Sequence, residues 1–219
     1  MQKQKPLLLF ITGWAHGTET LQPMADALAN DFETQVLTGA QVLATRELPN
    51  ADAIVTGSMG GLLAMELLPE SCRKLVLISS TAKFCTDENY PCGTPEKILR
   101  RMIRRFADDP AAVLEEFFKN VYYPDTSPAD IPATDTSNQL IEGLEYLRAS
   151  DLREKVPAIN IPVLLLHGSE DRIIPLAAAD WLHAHLPNSQ LKVFESAGHA
   201  LPASHFNKIV DEILAFMQK

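Results

Sequence analysis

The chain has 219 residues, 46% of them hydrophobic, and a formal net charge of -9 at pH 7. This composition suits a packed globular protein, and the acidic balance argues against nucleic acid as a general partner. No apolar run approaches the roughly 18 residues that a membrane-spanning helix needs, and three cysteines without metal-ligand spacing favour a reducing compartment, so we expect a cytoplasmic protein with no membrane partner.

Short apolar runs, typical of buried strands, alternate along the chain with longer amphipathic runs. The first run follows a charged start as a signal peptide would, but it is short and no cleavage site follows, so we interpret it as a strand. Strands are predicted at 7–12, 34–37, 53–56, 74–79, 163–167 and 191–195. Helices are predicted at 21–30, 60–68, 177–186 and 205–217. This order indicates an α/β fold with a mainly parallel, doubly wound sheet between helices.

Residues 84–151 interrupt the alternation, because they are helical in pattern and contain no convincing strand. Helices are predicted at 95–106, 110–120 and 139–147, with a loop at 123–137. A helical block between two strands of such a sheet indicates a lid over the carboxyl edge, where open α/β sheets bind ligands. We therefore predict a core of residues 1–83 and 152–219 and a lid insertion at 84–151.

Ser58 lies between the third predicted strand and a helix, in the sequence Thr-Gly-Ser-Met-Gly. This is the G-x-S-x-G pattern of a nucleophile elbow, with Thr56 in place of the first glycine. Small neighbours would let the serine occupy a strained turn. A turn serine without a catalytic role is the alternative, and the pattern alone favours that alternative.

Asp171 is the candidate acid. It follows the fifth predicted strand in the spacing Gly168-x-x-Asp171-x-x-x-Pro175. Glu170 is a competing acid, but Asp171 has the better spacing to the glycine and the proline. A helix cap or turn aspartate is the alternative interpretation of Asp171.

His199 is the candidate base, because it follows the sixth predicted strand and a glycine. The other histidines that we considered, His167, His183, His185 and His205, have structural explanations at a strand end or in helices. Ser58, Asp171 and His199 each follow a predicted strand, in the chain order of α/β-hydrolase triads. We therefore predict a Ser-His-Asp triad.

An oxyanion hole needs two backbone N–H groups. One is predicted at Met59, directly after the nucleophile, and the other at Trp14, in the loop after the first strand. Packing is an alternative role for Trp14 that is compatible with the first. In the predicted mechanism His199 takes the proton from Ser58, which attacks an ester carbonyl, and water then releases the acid. No metal or organic cofactor is required.

Four segments carry a family resemblance: TGWAHG at 12–17, GSMGGLLA at 57–64, residues 143–175, and AGHALPASH at 197–205. The chain resembles the α/β-hydrolase superfamily over nearly its full length. Within it, the chain is similar to the pimeloyl-[acyl-carrier protein] methyl ester carboxylesterases of biotin synthesis, most tellingly at 143–153. Thr12, Ala15 and Thr56 depart from the family pattern, and the missing N-terminal hairpin implies a sheet trimmed at the N-terminus. The resemblance implies a serine carboxylesterase that cleaves this carrier-bound methyl ester.

The predicted lid helix at 95–106 carries five cations, namely Lys97, Arg100, Arg101, Arg104 and Arg105. Like charges at i, i+4 spacing repel, so the cluster calls for an explanation. One is a solvated face balanced by nearby acidic residues, and the other is a dock for an acidic acyl carrier protein, which the resemblance favours. Phe117 and Phe118 either line an acyl channel or form the lid core.

Two rival functions stay open at this point. A general short-chain carboxylesterase or thioesterase would share the triad, so only the lid arginines separate it from the carrier-ester function. A catalytically inactive hydrolase fold used for binding is the rival from another class, and an intact triad argues against it.

Overall fold

The computed structural model describes residues 5–128 and 135–218. Within these residues, six strands form one sheet in the order β2-β1-β3-β4-β5-β6, and every neighbouring pair is parallel. The strands are β1 Leu7–Ile11, β2 Glu33–Leu37, β3 Ala53–Gly57, β4 Lys74–Ile78, β5 Val163–Gly168 and β6 Ser189–Phe194. The predicted α/β fold with a parallel sheet is confirmed.

Helices cover both faces of the sheet. They are α1 Gln22–Leu28, α2 Gly39–Thr45, α3 Met59–Glu66, α4 Glu96–Asp108, α5 Pro110–Val121, α6 Ser137–Ala149, α7 Leu176–His185, α8 Leu201–Ser204 and α9 Phe206–Met217. Successive side chains of a strand point to opposite faces. Leu8 of β1 therefore packs in one buried cluster with α1 and α9, while Leu9 packs in the other with α3 and α7. This two-sided burial is the doubly wound arrangement that the sequence predicts.

The predicted elements agree with the structure to within a few residues, but two helices were missed. Helix α2 begins at a capping box in which Thr38 and Gln41 exchange side-chain to backbone hydrogen bonds, a signal that is readable in the sequence. Helix α8 has four residues, too few to show a periodic pattern. The predicted loop at 123–137 falls partly on residues 129–134, which lie outside the described residues, and its last residue begins α6.

The segment predicted as a lid, residues 84–151, which we call the lid segment, leaves the core after β4 and returns before β5. Its two ends meet in an ion-pair cluster of Lys83, Asp87, Asp151 and Arg153, which we call the neck cluster. Asp151 accepts from Lys83 at 2.8 Å and from Arg153 at 2.6 Å, and Asp87 pairs with the same two cations at 2.9 and 2.8 Å. The hydrogen bond from Arg153, with that from Lys83, holds the pKa of the Asp151 carboxyl well below its usual range.

We expect Asp151→Asn to lower the free energy of unfolding at pH 7 by about 1 kcal/mol, because the pairs are partly exposed. A carboxyl whose folded-state pKa is lowered stabilises the fold above its ordinary pKa, and this stability is lost as pH falls through the folded-state value. The difference between variant and wild type should therefore shrink as pH falls below about 4. Urea unfolding at pH 7, 5 and 3.5 measures it.

Asp211→Asn is the matched control, because Asp211 is exposed on α9 and forms no ion pair within residues 5–128 and 135–218. It should leave the unfolding curve unchanged at all three pH values. An Asp151→Asn protein as stable as wild type at pH 7 would contradict the role given to the neck cluster.

Candidate active site

Ser58 occupies the sharp turn between β3 and α3, with φ 52° and ψ -119°. Its N–H donates to the carbonyl of Ile78 at 2.9 Å, and its own carbonyl accepts from the hydroxyl of Ser80 at 3.0 Å. A non-glycine residue with positive φ is strained and persists only where its surroundings hold it. Here the last residue of β4 holds the N–H of Ser58, and Ser80, just beyond that strand, holds its carbonyl. Both bonds lie at the carboxyl edge of the sheet.

The two glycine positions of the elbow pattern behave differently. A Cβ on Gly60 would lie 2.4 Å from the carbonyl oxygen of Ile11, so only glycine lets α3 begin this close to β1. Thr56 is fully buried in β3, where its hydroxyl donates to the carbonyl of Val76 at 3.1 Å. The first position therefore accommodates threonine, and the imperfect motif still forms the turn.

Asp171 and His199 are brought together by the loops after β5 and β6. The Nδ1–H of His199 donates to Asp171 Oδ2 at 2.7 Å, and Asp171 Oδ1 accepts from the N–H groups of Ile173 and Ile174 at 2.8 and 2.9 Å. Burial raises the pKa of the Asp171 carboxyl, but His199, His167 and the N–H of Ile174 together outweigh burial, so its pKa lies below the usual value. The buried carboxylate is therefore ionised at neutral pH.

The other ring nitrogen of His199, Nε2, is buried and has no hydrogen-bond partner within residues 5–128 and 135–218. Buried polar atoms nearly always have a partner, so this one needs an explanation. His199 lines the same cavity as Ser58. An imidazole that is held by a carboxylate and lines the same cavity as a serine could take part in proton transfer.

Two serines that sequence reasoning missed hold this arrangement. Ser79, at the end of β4, donates its hydroxyl to the carbonyl of His199 at 3.0 Å, and Ser80 holds the carbonyl of Ser58. Both follow the fourth strand at the same sheet edge as Ser58 and His199. Their position after a predicted strand could have indicated that they lie near the site. Their hydrogen-bond partners could not be predicted, because those partners are distant in the chain.

Both predicted oxyanion donors are close to Ser58, because Met59 follows it in the chain and Trp14 lines a cavity with it. The backbone N–H groups of Trp14 and Met59 donate to no backbone or side-chain acceptor in the described part of the chain. The loop that carries Trp14 is closed by the Thr12 hydroxyl, which donates to the carbonyl of His16 at 2.7 Å. Ala15 takes a left-handed φ of 59° there. Two unpaired N–H groups near a candidate nucleophile are what an oxyanion hole requires.

His16 also lies at the site, although its role was not predicted. Its Nδ1–H donates to the carbonyl of Trp14 at 2.7 Å, and its ring packs against that of Phe118 at 5.4 Å. Burial lowers the pKa of His16 to about 4, so the ring is neutral at physiological pH. Its place in the loop after β1 was the signal, but a neutral histidine beside a lid aromatic cannot be read from the sequence.

Ser58 lines two cavities. The first, which we call the histidine-side cavity, has a volume of about 330 Å³ and is lined by His16 and His199. The second, which we call the lid-side cavity, has a volume of about 390 Å³ and lies beneath the lid segment beside Trp14. Its wall is largely apolar, and the cations on its lining are Arg101, Arg105 and Arg172.

Some of the predicted substrate-binding residues of the lid segment line the lid-side cavity, and the others do not. Phe117 lines the lid-side cavity and packs on Trp14 with ring centroids 4.7 Å apart, whereas Phe118 is buried in the lid core. Arg101 and Arg105 line the lid-side cavity, and Arg105 also pairs with Glu116 at 2.7 Å. The two outward arginines are Arg100, which pairs with Glu96 at 2.9 Å, and the exposed Arg104.

Among residues 5–128 and 135–218, no group of three or more His, Cys, Asp or Glu side chains is arranged to hold a metal ion. None of the helices in this described part combines the length and the apolar character needed to cross a bilayer. The three cysteines are free thiols.

Comparison with known proteins adds family relationships to this geometry. Residues 11–212 match the alpha/beta hydrolase family. A pimeloyl-[acyl-carrier protein] methyl ester esterase from Nitrosomonas europaea is 29% identical, over 89% of each chain. The enzyme of the same name from Aromatoleum aromaticum is 36% identical over 73% of this chain and 71% of its own. Among solved structures, an esterase from Exiguobacterium antarcticum covers 99% of this chain with a TM-score of 0.83 at 19% identity, a likeness of fold.

Gly143 lets α6 lie close to the Trp14 side chain, because glycine has no Cβ. A Cβ at this position would lie 2.5 Å from Trp14 Cδ1, and the indole N–H donates to the carbonyl of Leu140 at 2.7 Å. Gly143→Ala gains about 1 kcal/mol in helix propensity, but overpacking costs about 1–3 kcal/mol. We expect lower stability and a shift of the Trp14 fluorescence maximum, measured in a Trp181→Phe background.

Glu142→Ala is the matched control, because the neighbouring Glu142 is exposed. It should change stability by less than about 0.5 kcal/mol and leave the fluorescence maximum in place. A Gly143→Ala protein that is more stable than wild type, with unshifted fluorescence, would show that the contact with Trp14 is not tight.

Proposed function

The chain belongs to the α/β-hydrolase family and is a carboxylic ester hydrolase related to esterases of biotin synthesis, and we propose that it is a serine esterase. One observation carries the proposal: His199, which is held by Asp171 at 2.7 Å and whose Nε2 has no partner in the described part of the chain, lines the same cavity as Ser58. We propose pimeloyl-[acyl-carrier protein] methyl ester as the substrate. We propose the cytoplasm as its compartment, because free thiols are typical of proteins in a reducing environment.

In the acylation step, Ser58 Oγ attacks the ester carbonyl carbon while its proton passes to His199 Nε2. The ionised Asp171 stabilises the imidazolium that forms. The backbone N–H groups of Trp14 and Met59 stabilise the negative charge on the carbonyl oxygen. The bond to the alcohol oxygen then breaks, and His199 returns its proton to the leaving alkoxide, which departs as methanol.

Deacylation repeats these roles with water. His199 takes a proton from a water molecule, whose oxygen attacks the acyl carbonyl carbon. The second tetrahedral intermediate collapses, the bond to Ser58 Oγ breaks, and His199 returns the proton to the serine. The products are the free carboxylic acid and the regenerated enzyme, and this chain's own residues perform each proton transfer.

The lid-side cavity supports the choice of an acyl chain carried on an acidic protein. Its apolar wall fits a hydrocarbon chain, and Arg101, Arg105 and Arg172 carry positive charge on its lining. Arg100 and Arg104 project from α4, one turn apart and exposed. Together these cations would attract an acidic carrier protein to the lid segment despite the net charge of -9.

A general short-chain carboxylesterase or thioesterase is the second candidate function. The observation that favours it is the pairing of Arg100 with Glu96 and of Arg105 with Glu116, which neutralises part of the proposed docking surface. The triad would serve both functions equally. The substrates must therefore be compared directly.

We expect Ser58→Ala to lower the kcat of hydrolysis by at least about 10³-fold for both p-nitrophenyl butyrate and pimeloyl-[acyl-carrier protein] methyl ester, because the triad acts as a unit. Initial rates under saturating substrate measure it. Ser71→Ala, which alters a serine at the opposite edge of the sheet before β4, is the control and should retain full activity. Activity that survives in Ser58→Ala, or a wild-type protein inactive on both esters, would instead favour a binding protein.

The docking surface is tested with the double variant Arg100→Ala/Arg104→Ala. Neither residue is among those that line the two cavities, so p-nitrophenyl butyrate should be hydrolysed as by wild type. For the carrier-bound ester we expect kcat/KM to fall by about tenfold at low salt, and by less at high salt. Arg73→Ala, which removes an exposed cation next to β4 at the opposite sheet edge, is the control. Equal losses on both substrates, or no loss, would leave the general esterase.

A further inference from the structure

We propose that the histidine-side cavity is the subsite for the alcohol portion of the ester, and that it accepts uncharged alcohols much larger than methanol, such as benzyl alcohol. This inference rests on the serine-esterase function proposed above. It extends that function, because methanol would use only a small part of the space. Three properties of the cavity carry the inference: the placement of His199, the volume, and the charge of the lining.

The placement of His199 sets the orientation of the substrate. The imidazole must give its proton to the departing alcohol oxygen, so that oxygen lies within hydrogen-bond reach of Nε2. His199 is on the lining of the histidine-side cavity and not on that of the lid-side cavity, whereas Ser58 is on both. The alcohol therefore extends into the histidine-side cavity, and the acyl chain extends into the lid-side cavity.

The volume sets the size of the alcohol. At about 330 Å³, the cavity is on the order of ten times the share of liquid volume that one water molecule occupies. A methoxy group has two heavy atoms and would leave most of this space to water. The volume instead falls within the range of about 300–1,000 Å³ that is typical of sites for small organic molecules. An aromatic or branched alkyl alcohol fills it better than methanol does.

The lining sets the polarity. Apolar side chains form much of the wall, contributed by Leu21, Pro23, Ile78, Val121, Pro202 and Phe206. The titratable groups on the lining besides His199 are His16, Tyr122 and Glu19. Burial keeps His16 neutral by lowering its pKa to about 4, and burial, with Glu19 nearby, raises the pKa of Tyr122. Both are therefore uncharged at neutral pH.

Glu19 places a negative charge at the histidine-side cavity, whereas arginines place positive charge at the lid-side cavity. The Glu19 carboxylate is exposed at the cavity and accepts from the N–H of Gly17 at 3.1 Å. The lining of the lid-side cavity carries three cations, Arg101, Arg105 and Arg172, and one carboxylate, that of Glu116, so its charge is positive on balance. An alcohol that bears a carboxylate would be repelled by Glu19. An anionic group at the far end of the acyl chain would be attracted by the arginines. The two cavities thus fix the direction in which an ester binds.

The test compares two pairs of esters in the full-length protein. Methyl and benzyl butyrate vary the alcohol, while methyl butyrate and methyl octanoate vary the acyl chain. For wild type we expect kcat/KM for benzyl butyrate to equal or exceed that for methyl butyrate. An added carboxylate, in 4-carboxybenzyl butyrate, should lower the value for the benzyl ester at least tenfold.

Two variants place the same large side chain in each cavity in turn. Ala203→Trp fills the histidine-side cavity from α8, and Ile98→Trp fills the lid-side cavity from α4; both residues are exposed, so each variant should fold. Ala203→Trp should lower the benzyl-to-methyl ratio of kcat/KM at least tenfold and change the octanoate-to-butyrate ratio less than twofold. Ile98→Trp should do the reverse.

Two results would overturn the proposal. If Ala203→Trp lowers the octanoate-to-butyrate ratio and not the benzyl-to-methyl ratio, the histidine-side cavity holds the acyl chain. If it changes neither ratio, the cavity holds neither part of the substrate.

A binding measurement separates this inference from the proposed function. Saturation-transfer NMR with benzyl alcohol as the probe requires no catalysis, and its signal should be weakened by Ala203→Trp and retained by Ile98→Trp. If that pattern is seen in a protein that hydrolyses no ester, the proposed function is wrong while the alcohol site stands. If esters are hydrolysed but no benzyl alcohol signal is seen and the ratios stay unchanged, the function stands and the alcohol site is wrong.

Discussion

The parallel direction of all the described strands is the constraint on which the rest of the structure depends. Because parallel strands end at the same edge, the loops that follow β1, β3, β5 and β6 emerge side by side. Trp14, Ser58, Asp171 and His199 each lie in one of these loops or just after the strand, separated by up to 185 positions in the chain but gathered at one edge. A reversed strand would carry its residue to the other end of the molecule. The site is therefore a consequence of strand direction before it is a matter of side-chain chemistry.

Backbone strain is concentrated at that same edge. Five non-glycine residues in the described part of the chain have positive φ values, and each such conformation costs on the order of 1–3 kcal/mol. Four of them, Ala15, Ser58, Ser79 and Ser196, follow the end of a strand at the carboxyl edge, and the fifth, Arg46, ends α2. The central strands β1, β3, β4 and β5 are almost wholly buried and can hold these strained turns in place. The stability of the sheet thus offsets the strain of the site, and the two cannot be considered separately.

The sequence predicted what depends on strand ends and failed where contacts decide. Short apolar runs located the strands of the sheet, and a polar residue after each of three strands gave Ser58, Asp171 and His199 as candidates. Ser79 was assigned only to a strand, because its bond to the carbonyl of His199 joins parts of the chain 120 positions apart. The four arginines of α4 looked alike in the sequence. Their division between a cavity wall and an outer surface follows from the rotation of α4 against the core, which no local pattern specifies.

Trp14 connects the proposed oxyanion hole with the lid segment. Trp14 lines the lid-side cavity together with Ser58. Its indole N–H donates to the carbonyl of Leu140, and its ring packs on Phe117. The absence of a side chain at Gly143 allows this approach. Because this hydrogen bond and this packing hold the indole in one rotamer, a displacement of α6 would be passed through the ring to the backbone of Trp14. In the mechanism that we propose, that backbone supplies an oxyanion donor. The helices that line the proposed acyl-chain site would then also position a donor for the chemistry, so that acyl-chain binding and catalysis would share one set of contacts.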